Sequence, residues 1–297
     1  MTDTTTIGTI IRRADVVKHT LRLGAEVKNI RLSDDLPDEV ITAIKQLLLE
    51  HRVIFFRDQG HLNDAEQQRF AIRLSSLIPH PTTVDPSGGV TEPETQSDRA
   101  SPMNMMNMDD SFDGGRSKIA ILRGAAAPPY GDHMAWSSTA AAYLDLPDPL
   151  RMLADDLWAV RCAAFDYAVT DWATESDKKC LDDVSTGTIY QTTHPIVRVH
   201  HETGERLLLL GRSIEHFVGL QRYPSQRLFE RLQSYITAPE NTVYWTWKSG
   251  DVAIWDNRAT ECYLLKPGGR HLVGERVTSE SAVPGLKRLR SRTAEAA

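Results

Sequence analysis

Residues 250–262 of the 297-residue chain read GDVAIWDNRATEC, the stretch that most constrains the fold. Upstream of it, Val243, Trp245 and Trp247 recur at every second position, which predicts a β-strand with one buried face. The polar residues 248–251 (KSGD) then predict a turn, and the apolar residues after them begin a second strand. This part of the chain is therefore predicted to contain consecutive strands joined by a short turn.

The rest of the chain mixes helical and strand patterns. Asp38 and Glu39 precede apolar residues at helical spacing, an arrangement that suits the dipole of a one-faced helix. Residues 53–56 (VIFF) are typical of a buried strand. Further helices are predicted at 64–77, at 140–158 with an interruption near Pro147 and Pro149, and around 228–236, and a hairpin is predicted at 195–210. Strands separated by turns, with helices outside, fit a double-stranded β-helix (jelly-roll) core of the α+β, mainly β class.

Length and composition predict one domain over residues 1–297. Residues 83–116 are polar, rich in Pro and Gly and without periodicity, which predicts a mobile lid over a site. The basic tail after residue 284 is predicted to fray.

The overall composition excludes several function classes. A net charge of −6 leaves no basic surface for nucleic acid or an anionic membrane, and no apolar run is long enough to span a bilayer. Three scattered cysteines without a C-x-x-C pair favour a reducing compartment. We therefore expect a cytoplasmic protein whose partner is a small molecule. The composition does not decide whether the protein forms a homo-oligomer.

Several motifs resemble the TauD/TfdA family of Fe(II)/2-oxoglutarate dioxygenases over roughly residues 8–284. Residues 250–262 match its distal segment G-D-x-x-x-W-D-N-R-x-T-x-H except at the last position. Residues 53–59 (VIFFRDQ), 139–147 (TAAAYLDLP) and 194–204 (HPIVRVHHETG) match further family segments in the same order. The resemblance implies the jelly-roll scaffold, which periodicity alone does not distinguish from other α+β folds.

The resemblance also implies three metal-binding positions, and one of them keeps the expected residue type. The family's proximal segment W-H-x-D-x-x-F matches residues 106–112 (MNMDDSF), so Asn107 stands at the first histidine and Asp109 at the carboxylate. Cys262 stands at the distal histidine. Non-haem Fe(II) oxygenases use two histidines and one carboxylate. The sequence therefore predicts a degraded iron site with little affinity for Fe(II).

The co-substrate positions are partly altered as well. The family segment G-G-x-T-x-W matches residues 131–136 (GDHMAW), where Met134 replaces the Thr that contacts the far carboxylate of 2-oxoglutarate. Arg276 matches the family's carboxylate-binding arginine, although Glu275 precedes it in place of histidine. Because a guanidinium can bind a carboxylate through two parallel hydrogen bonds, we expect Arg276 to bind an anionic metabolite.

The primary hypothesis from these residues is a pocket repurposed for another reaction. The expected catalytic residues are Asp109, His133 and Cys262, and the expected ligand-binding residues are Arg276, Asn107, Met134 and Arg258. The reaction is expected to be non-oxidative and metal-independent, such as an isomerisation, cyclisation, elimination or hydrolysis, without a cofactor. Histidine is the natural proton shuttle near neutral pH, and an arginine beside the thiol would lower its pKa.

Two alternatives remain open from the sequence. The first is a catalytically inactive binding or regulatory protein, since a small buried cysteine is a common replacement in a site that has lost its metal. The second is an Fe(II)/2-oxoglutarate oxygenase with altered ligands, in which Cys262 and Asp109 are joined by His133 or His271. The other histidines, among them His200, are interpreted as structural.

Overall fold

The computed structural model describes residues 10–76, 117–124, 133–162, 191–211, 214–264 and 272–278. The helices in these ranges are α1 (Asp38–His51), α2 (Asp64–Ser76), α3 (Thr139–Asp145), α4 (Asp148–Asp156) and α5 (Arg222–Ile236). The strands are β1 (Val16–Lys18), β2 (Ala25–Val27), β3 (Val53–Phe56), β4 (Ser117–Gly124), β5 (His133–Ser138), β6 (Trp158–Cys162), β7 (Gln191–Pro195), β8 (Val197–Val199), β9 (Arg206–Leu208), β10 (Ile214–Phe217), β11 (Thr242–Thr246), β12 (Val252–Asp256), β13 (Thr260–Leu264) and β14 (Leu272–Thr278). The predicted lid and the predicted frayed tail lie outside the described residues.

Two facing sheets form the centre of the described structure. The main sheet has the strand order β1-β2-β3-β12-β4-β14, and the inner sheet has the order β11-β5-β13. Neighbouring strands of both sheets are antiparallel except β2 and β3, which are parallel. The chain passes from one sheet to the other between β12 and β13. The strands and outer helices agree with the predicted α+β, mainly β class.

The side chains of β3 alternate between two buried layers, one on each face of the main sheet. Ile54 and Phe56 pack towards α1 and α2, whereas Val53 and Phe55 point to the inner sheet. All four side chains are buried because helices cover one face and a second sheet covers the other. We call the apolar layer between the two sheets the inter-sheet cluster. Its buried members are Leu23, Val53, Phe55, Ala120, Met134, Trp136, Val243, Trp245, Trp247, Ala253, Trp255 and Cys262.

Proline divides the helical segment that the sequence predicts at 140–158. Helix α3 begins with the Ser138 side chain accepting a hydrogen bond from the backbone N–H of Ala141 at 3.1 Å, and it ends at Asp145. Pro147 precedes the first residue of α4, where the fixed φ of proline favours a helix start. Helix α4 ends at Asp156, and Trp158 begins β6 rather than ending a helix. The predicted interruption is thus a full break between two helices.

A hairpin made of β8 and β9 lies beside the two main layers. Its turn contains His200 and Gly204, and Gly204 has a φ of +73°. This agrees with the hairpin that the sequence predicts at 195–210. The turn reaches the junction between β12 and β13, which makes it part of the site described below.

The turn before β12 depends on Gly250, and we expect Gly250→Ala to lower the free energy of unfolding by about 2–3 kcal/mol. Gly250 has a φ of +80°, and an added Cβ would lie 2.8 Å from the backbone nitrogen of Gly60. Chemical denaturation measures the loss. Two variants serve as controls. Gly204→Ala puts a side chain at a left-handed φ without a clash, and the added Cβ of Gly60→Ala meets open space. Equal losses in all three variants would show that the close approach at Gly250 is not responsible.

Among the residues that the structure describes, no helix combines the length and the apolar character needed to cross a bilayer.

Candidate functional site

Cys262 lies on β13 and points into the inter-sheet cluster. Its backbone pairs with Trp136 on β5, and the residue is 3% exposed. The surrounding rings are closely packed: Phe55 and Trp245 stack with centroids 4.1 Å apart, and the Trp136 ring meets Trp255 edge to face at 5.6 Å. The thiol at the predicted distal metal position is therefore enclosed mainly by aromatic and apolar groups.

Met134 shares this environment. It pairs with Trp245 on one side and with Leu264 on the other, and it is 7% exposed. The position at which the resemblance expects a hydroxyl for the co-substrate is thus occupied by an apolar side chain of the inter-sheet cluster. A thioether cannot donate a hydrogen bond to a carboxylate, so any carboxylate bound here needs another donor.

His133 lies on the other face of the inner sheet. It stands three residues before Trp136, the partner of Cys262, so alternation puts the two side chains on opposite faces. His133 instead pairs with Thr246, and its Nδ1 lies 3.1 Å from the Thr246 hydroxyl. The structure therefore puts His133 and Cys262 on opposite faces of the inner sheet. The repurposed-pocket hypothesis expects both on one surface, and so does the oxygenase alternative in the form that uses His133 rather than His271 as a ligand.

Arg258 is held in a buried ion pair at the start of the connection between β12 and β13. Its Nε and Nη2 donate to the two carboxylate oxygens of Asp256 at 2.9 and 2.6 Å, and Nη2 also lies 3.4 Å from Glu202. Burial disfavours the charged guanidinium, but the hydrogen bonds and charges of the two carboxylates outweigh it and raise the pKa of Arg258. The positive charge of Arg258 is thus bound to two carboxylates in the described structure, and its predicted role at the ligand or the thiol stays a prediction.

Asp256 is the centre of this network. Besides the two bonds from the Arg258 side chain and a third from its backbone N–H at 2.9 Å, the carboxylate accepts one from His200, whose Nε2 lies 3.0 Å from Oδ2. Burial would raise the pKa of the carboxyl group, but the hydrogen bonds from His200 and Arg258 overcome it and lower the pKa to about 2. Asp256 is therefore a buried, ionised carboxylate that ties the β8–β9 turn to the β12–β13 connection.

The remaining predicted site residues are only partly described. The backbone of Arg276 on β14 pairs with Ala120, a member of the inter-sheet cluster. Glu275 pairs with Ile121, which belongs to the cluster on the helix side of the main sheet. Asn107, Asp109 and His271 lie outside the described residues. The roles predicted for Arg276, Asn107 and Asp109 therefore stay predictions.

The described residues test the fit of a metal ion at one predicted ligand position. Cys262 supplies a thiol, which becomes a metal ligand when it loses its proton. Across the described ranges, however, no three His, Cys, Asp or Glu side chains come close enough together to hold an ion. The described part of the chain thus offers one ligand, and Asn107 and Asp109 would have to supply the others.

The bond between His200 and Asp256 is the feature that sequence reasoning missed. His200 was expected to be structural, and its burial agrees with that. The sequence shows only that both residues lie in segments that match the same family. What the sequence did not indicate is that these two segments meet in space.

Comparisons with known proteins identify a family and several relatives. Residues 15–273 match the model of the taurine catabolism dioxygenase TauD, TfdA family. An alpha-ketoglutarate-dependent sulfate ester dioxygenase of Pseudomonas putida is 42% identical over 89% of this chain and 88% of its own. An alkylsulfatase of Acinetobacter baylyi is 40% identical over 93% of this chain and 87% of its own.

Solved structures agree with the fold. A taurine dioxygenase from Burkholderia xenovorans superposes with a TM-score of 0.65 at 28% identity, covering 95% of both chains. The complex of AAD-2 with Mn(II) and N-oxalylglycine gives a TM-score of 0.69 at 18% identity, which is evidence for the fold alone. The predicted jelly-roll scaffold is confirmed.

These relatives correct two expectations from the sequence. The prediction of a non-oxidative, metal-independent reaction is wrong, because relatives that match nearly the whole chain include one named as an alpha-ketoglutarate-dependent dioxygenase. The prediction that no cofactor is needed is wrong for the same reason, since α-ketoglutarate (2-oxoglutarate) enzymes of this kind use Fe(II). The comparisons favour the alternative hypothesis of an Fe(II)/2-oxoglutarate oxygenase.

Proposed function

Since the chain belongs to the TauD/TfdA family, we propose that it is an Fe(II)/α-ketoglutarate-dependent oxygenase with altered metal ligands that acts on a small sulfate ester. The observation that carries this proposal is the 42% identity to a sulfate ester dioxygenase over almost the full length of both chains. The alkylsulfatase, at 40% identity, supports the same substrate class.

We assign the metal to Asp109 and Cys262, with Asn107 as a third neighbour. A carboxylate, a thiolate and an amide oxygen are all groups that bind metal ions, although two imidazoles are the usual partners of the carboxylate. The bound Fe(II), together with α-ketoglutarate and O2, would supply the oxidising chemistry. The chain itself supplies a ligand on β13 whose position is set by the pairing of Cys262 with Trp136.

The inter-sheet cluster shapes the site around that ligand. Phe55, Trp136 and Trp245 interlock through ring contacts and leave little freedom for the strands that carry Met134 and Cys262. Apolar walls exclude water, which strengthens the attraction between a buried cation and an anionic ligand. We assign Arg276 as the cation that binds the carboxylate, because it matches the family's carboxylate-binding arginine and its backbone pairs with a residue of this cluster.

The direct test is turnover under defined conditions. Protein loaded anaerobically with Fe(II) and α-ketoglutarate is mixed with O2 and a short alkyl sulfate such as hexyl sulfate, and succinate and free sulfate are measured. We expect succinate formation that requires the metal and increases with the ester, and we expect Asp109→Ala to abolish it. Binding of α-ketoglutarate without any succinate from a panel of sulfate esters would overturn the oxygenase assignment. Succinate that does not depend on the ester would overturn the substrate class.

Removing the assigned cation should weaken co-substrate binding. Arg276→Ala is expected to raise the Kd for α-ketoglutarate by roughly tenfold to a hundredfold, the range for a lost hydrogen bond to a charged group. Anaerobic calorimetry measures the change. Arg227→Ala serves as the matched control, since Arg227 is an exposed arginine of α5. An unchanged Kd for Arg276→Ala would show that another group binds the carboxylate.

A further inference from the structure

We propose that His200 is a positioning residue that fixes the β12–β13 connection and thereby the place of Cys262. The proposal rests on the proposed function only in treating position 262 as a metal ligand. Three parts of the structure meet at Asp256: the β8–β9 turn, the end of β12 and the connection itself. The start of α3 contacts the connection at Ala259.

The hydrogen bonds of His200 determine its tautomer. Nδ1 accepts from the backbone N–H groups of Glu202 at 3.3 Å and Thr203 at 3.2 Å. The ring proton is therefore on Nε2, which donates to Asp256. His200 thus acts as a neutral connector: one nitrogen shapes its own turn, and the other holds the buried carboxylate.

Asp256 passes this constraint to the strand that carries Cys262. Its backbone carbonyl accepts hydrogen bonds from the N–H of Ala259 at 3.1 Å and from the hydroxyl of Thr260 at 2.8 Å. The carbonyl of Ala259 in turn accepts from the N–H of Thr139 at 3.1 Å. Thr260 is the first residue of β13, and Cys262 follows two positions later on the same face. A shift of Asp256 therefore moves the strand at its origin.

Ion pairs on both sides hold the β8–β9 turn in place. Arg258 contacts Glu202, and Arg52, in the segment between α1 and β3, pairs with Glu205. The first pair extends the network of Asp256 and Arg258 to Glu202, and the second is a separate pair at the other end of the turn. A neutral histidine donates to Asp256 without adding a second positive charge beside Arg258.

Two substitutions separate the two functions of the ring. The amide nitrogen of His200→Gln reaches the position of Nε2 and can still donate to Asp256. The side chain of His200→Asn is shorter, so its oxygen can replace Nδ1 as the acceptor in the turn while the link to Asp256 is lost. If His200 acts through Asp256, Gln preserves the position of Cys262 and Asn does not.

The readout is the rate at which a thiol reagent labels Cys262 under native conditions, in a Cys162→Ala/Cys180→Ala background. We expect His200→Asn to raise this rate about tenfold through local opening, and His200→Gln to stay within about twofold of the parent. The assay needs no metal and no co-substrate, so its failure is distinct from failure of the proposed function. Equal rates for Asn and Gln would overturn the proposal.

Two further variants keep the test decisive. Leu74→Ala creates a cavity on the helix side of the main sheet, on the opposite face from Cys262, and controls for a general loss of stability. Labelling of Cys262 in this control should be slower than in His200→Asn when the two variants are compared at the same free energy of unfolding. An equal labelling rate in the two variants contradicts a positioning role. If His200→Asn does not fold, Thr260→Val removes the hydroxyl bond to Asp256 without changing any charge, and an unchanged rate in that variant overturns the proposal.

Discussion

Replacing both Asn107 and Cys262 by histidine should raise the affinity of the protein for Fe(II) by at least about a hundredfold. The exchange would complete the two-histidine, one-carboxylate set around Asp109. Outer-shell partners of metal ligands alone are worth about tenfold to a hundredfold, so two ligands should exceed that range. Anaerobic calorimetry with Fe(II), or with Mn(II) as a stable substitute, measures the difference.

The single variants and one apolar variant control this experiment. Asn107→His and Cys262→His should each give an intermediate affinity, whereas Cys262→Ala should not increase it. An imidazole at position 262 has to fit among the rings of the inter-sheet cluster, and Met134→Thr provides space beside it. A folded double variant whose affinity equals that of the parent would show that positions 107 and 262 do not face a common metal.

Local patterns predicted most of the elements because the forces involved are local. The acidic first turn of α1 and the run at residues 53–56 gave the correct helix and strand. The strand order was not predictable in this way. Strand β12 pairs with β3 and β4, which lie far from it in the sequence, so the order depends on which apolar faces find each other after the strands have formed.

The candidate site was predictable in part, because motifs are local stretches of sequence. The matched segments predict that Cys262 and Met134 belong to one site, and both lie in the inter-sheet cluster, although their predicted roles stay predictions. The placement of His133 beside them does not follow from the motif, because residues 133 and 134 of one strand point to opposite faces. His200 and Asp256 are 56 residues apart, and only the folded chain shows that the one donates to the other.

The class of reaction was the least predictable feature. Two missing histidines suggested that oxidative chemistry had been abandoned, since each removes a strong metal ligand. The relatives match nearly the whole chain and support the opposite conclusion. A change at two ligand positions alters the affinity for the metal. The similarity to the relatives extends over many more residues, and it is therefore the stronger evidence for the class of reaction.

Asp256→Ala should be the most destabilising single substitution in the network, with a loss of roughly 3–5 kcal/mol in the free energy of unfolding. The variant leaves the guanidinium of Arg258, whose side chain is 16% exposed, without its main partner. Urea denaturation measures the loss. The control is Glu230→Ala, which breaks an exposed pair with Arg227 on α5 and should cost less than about 0.5 kcal/mol. Similar losses in both variants would show that the Asp256 pair contributes no more than a surface contact.

The stabilisation by Asp256 should also depend on pH in a defined direction. The pKa of this carboxyl is about 2 in the folded protein and about 3.9 in an unfolded chain. A lowered pKa means that ionisation favours the folded state above about pH 4, by roughly 2–3 kcal/mol, and that this contribution is lost as the pH falls towards 2. The difference in unfolding free energy between the parent and Asp256→Asn should therefore be constant from pH 7 to 5 and shrink below pH 4. A difference that stays constant down to pH 3 would mean that the shape of the side chain, and not its charge, holds His200 and Arg258 together.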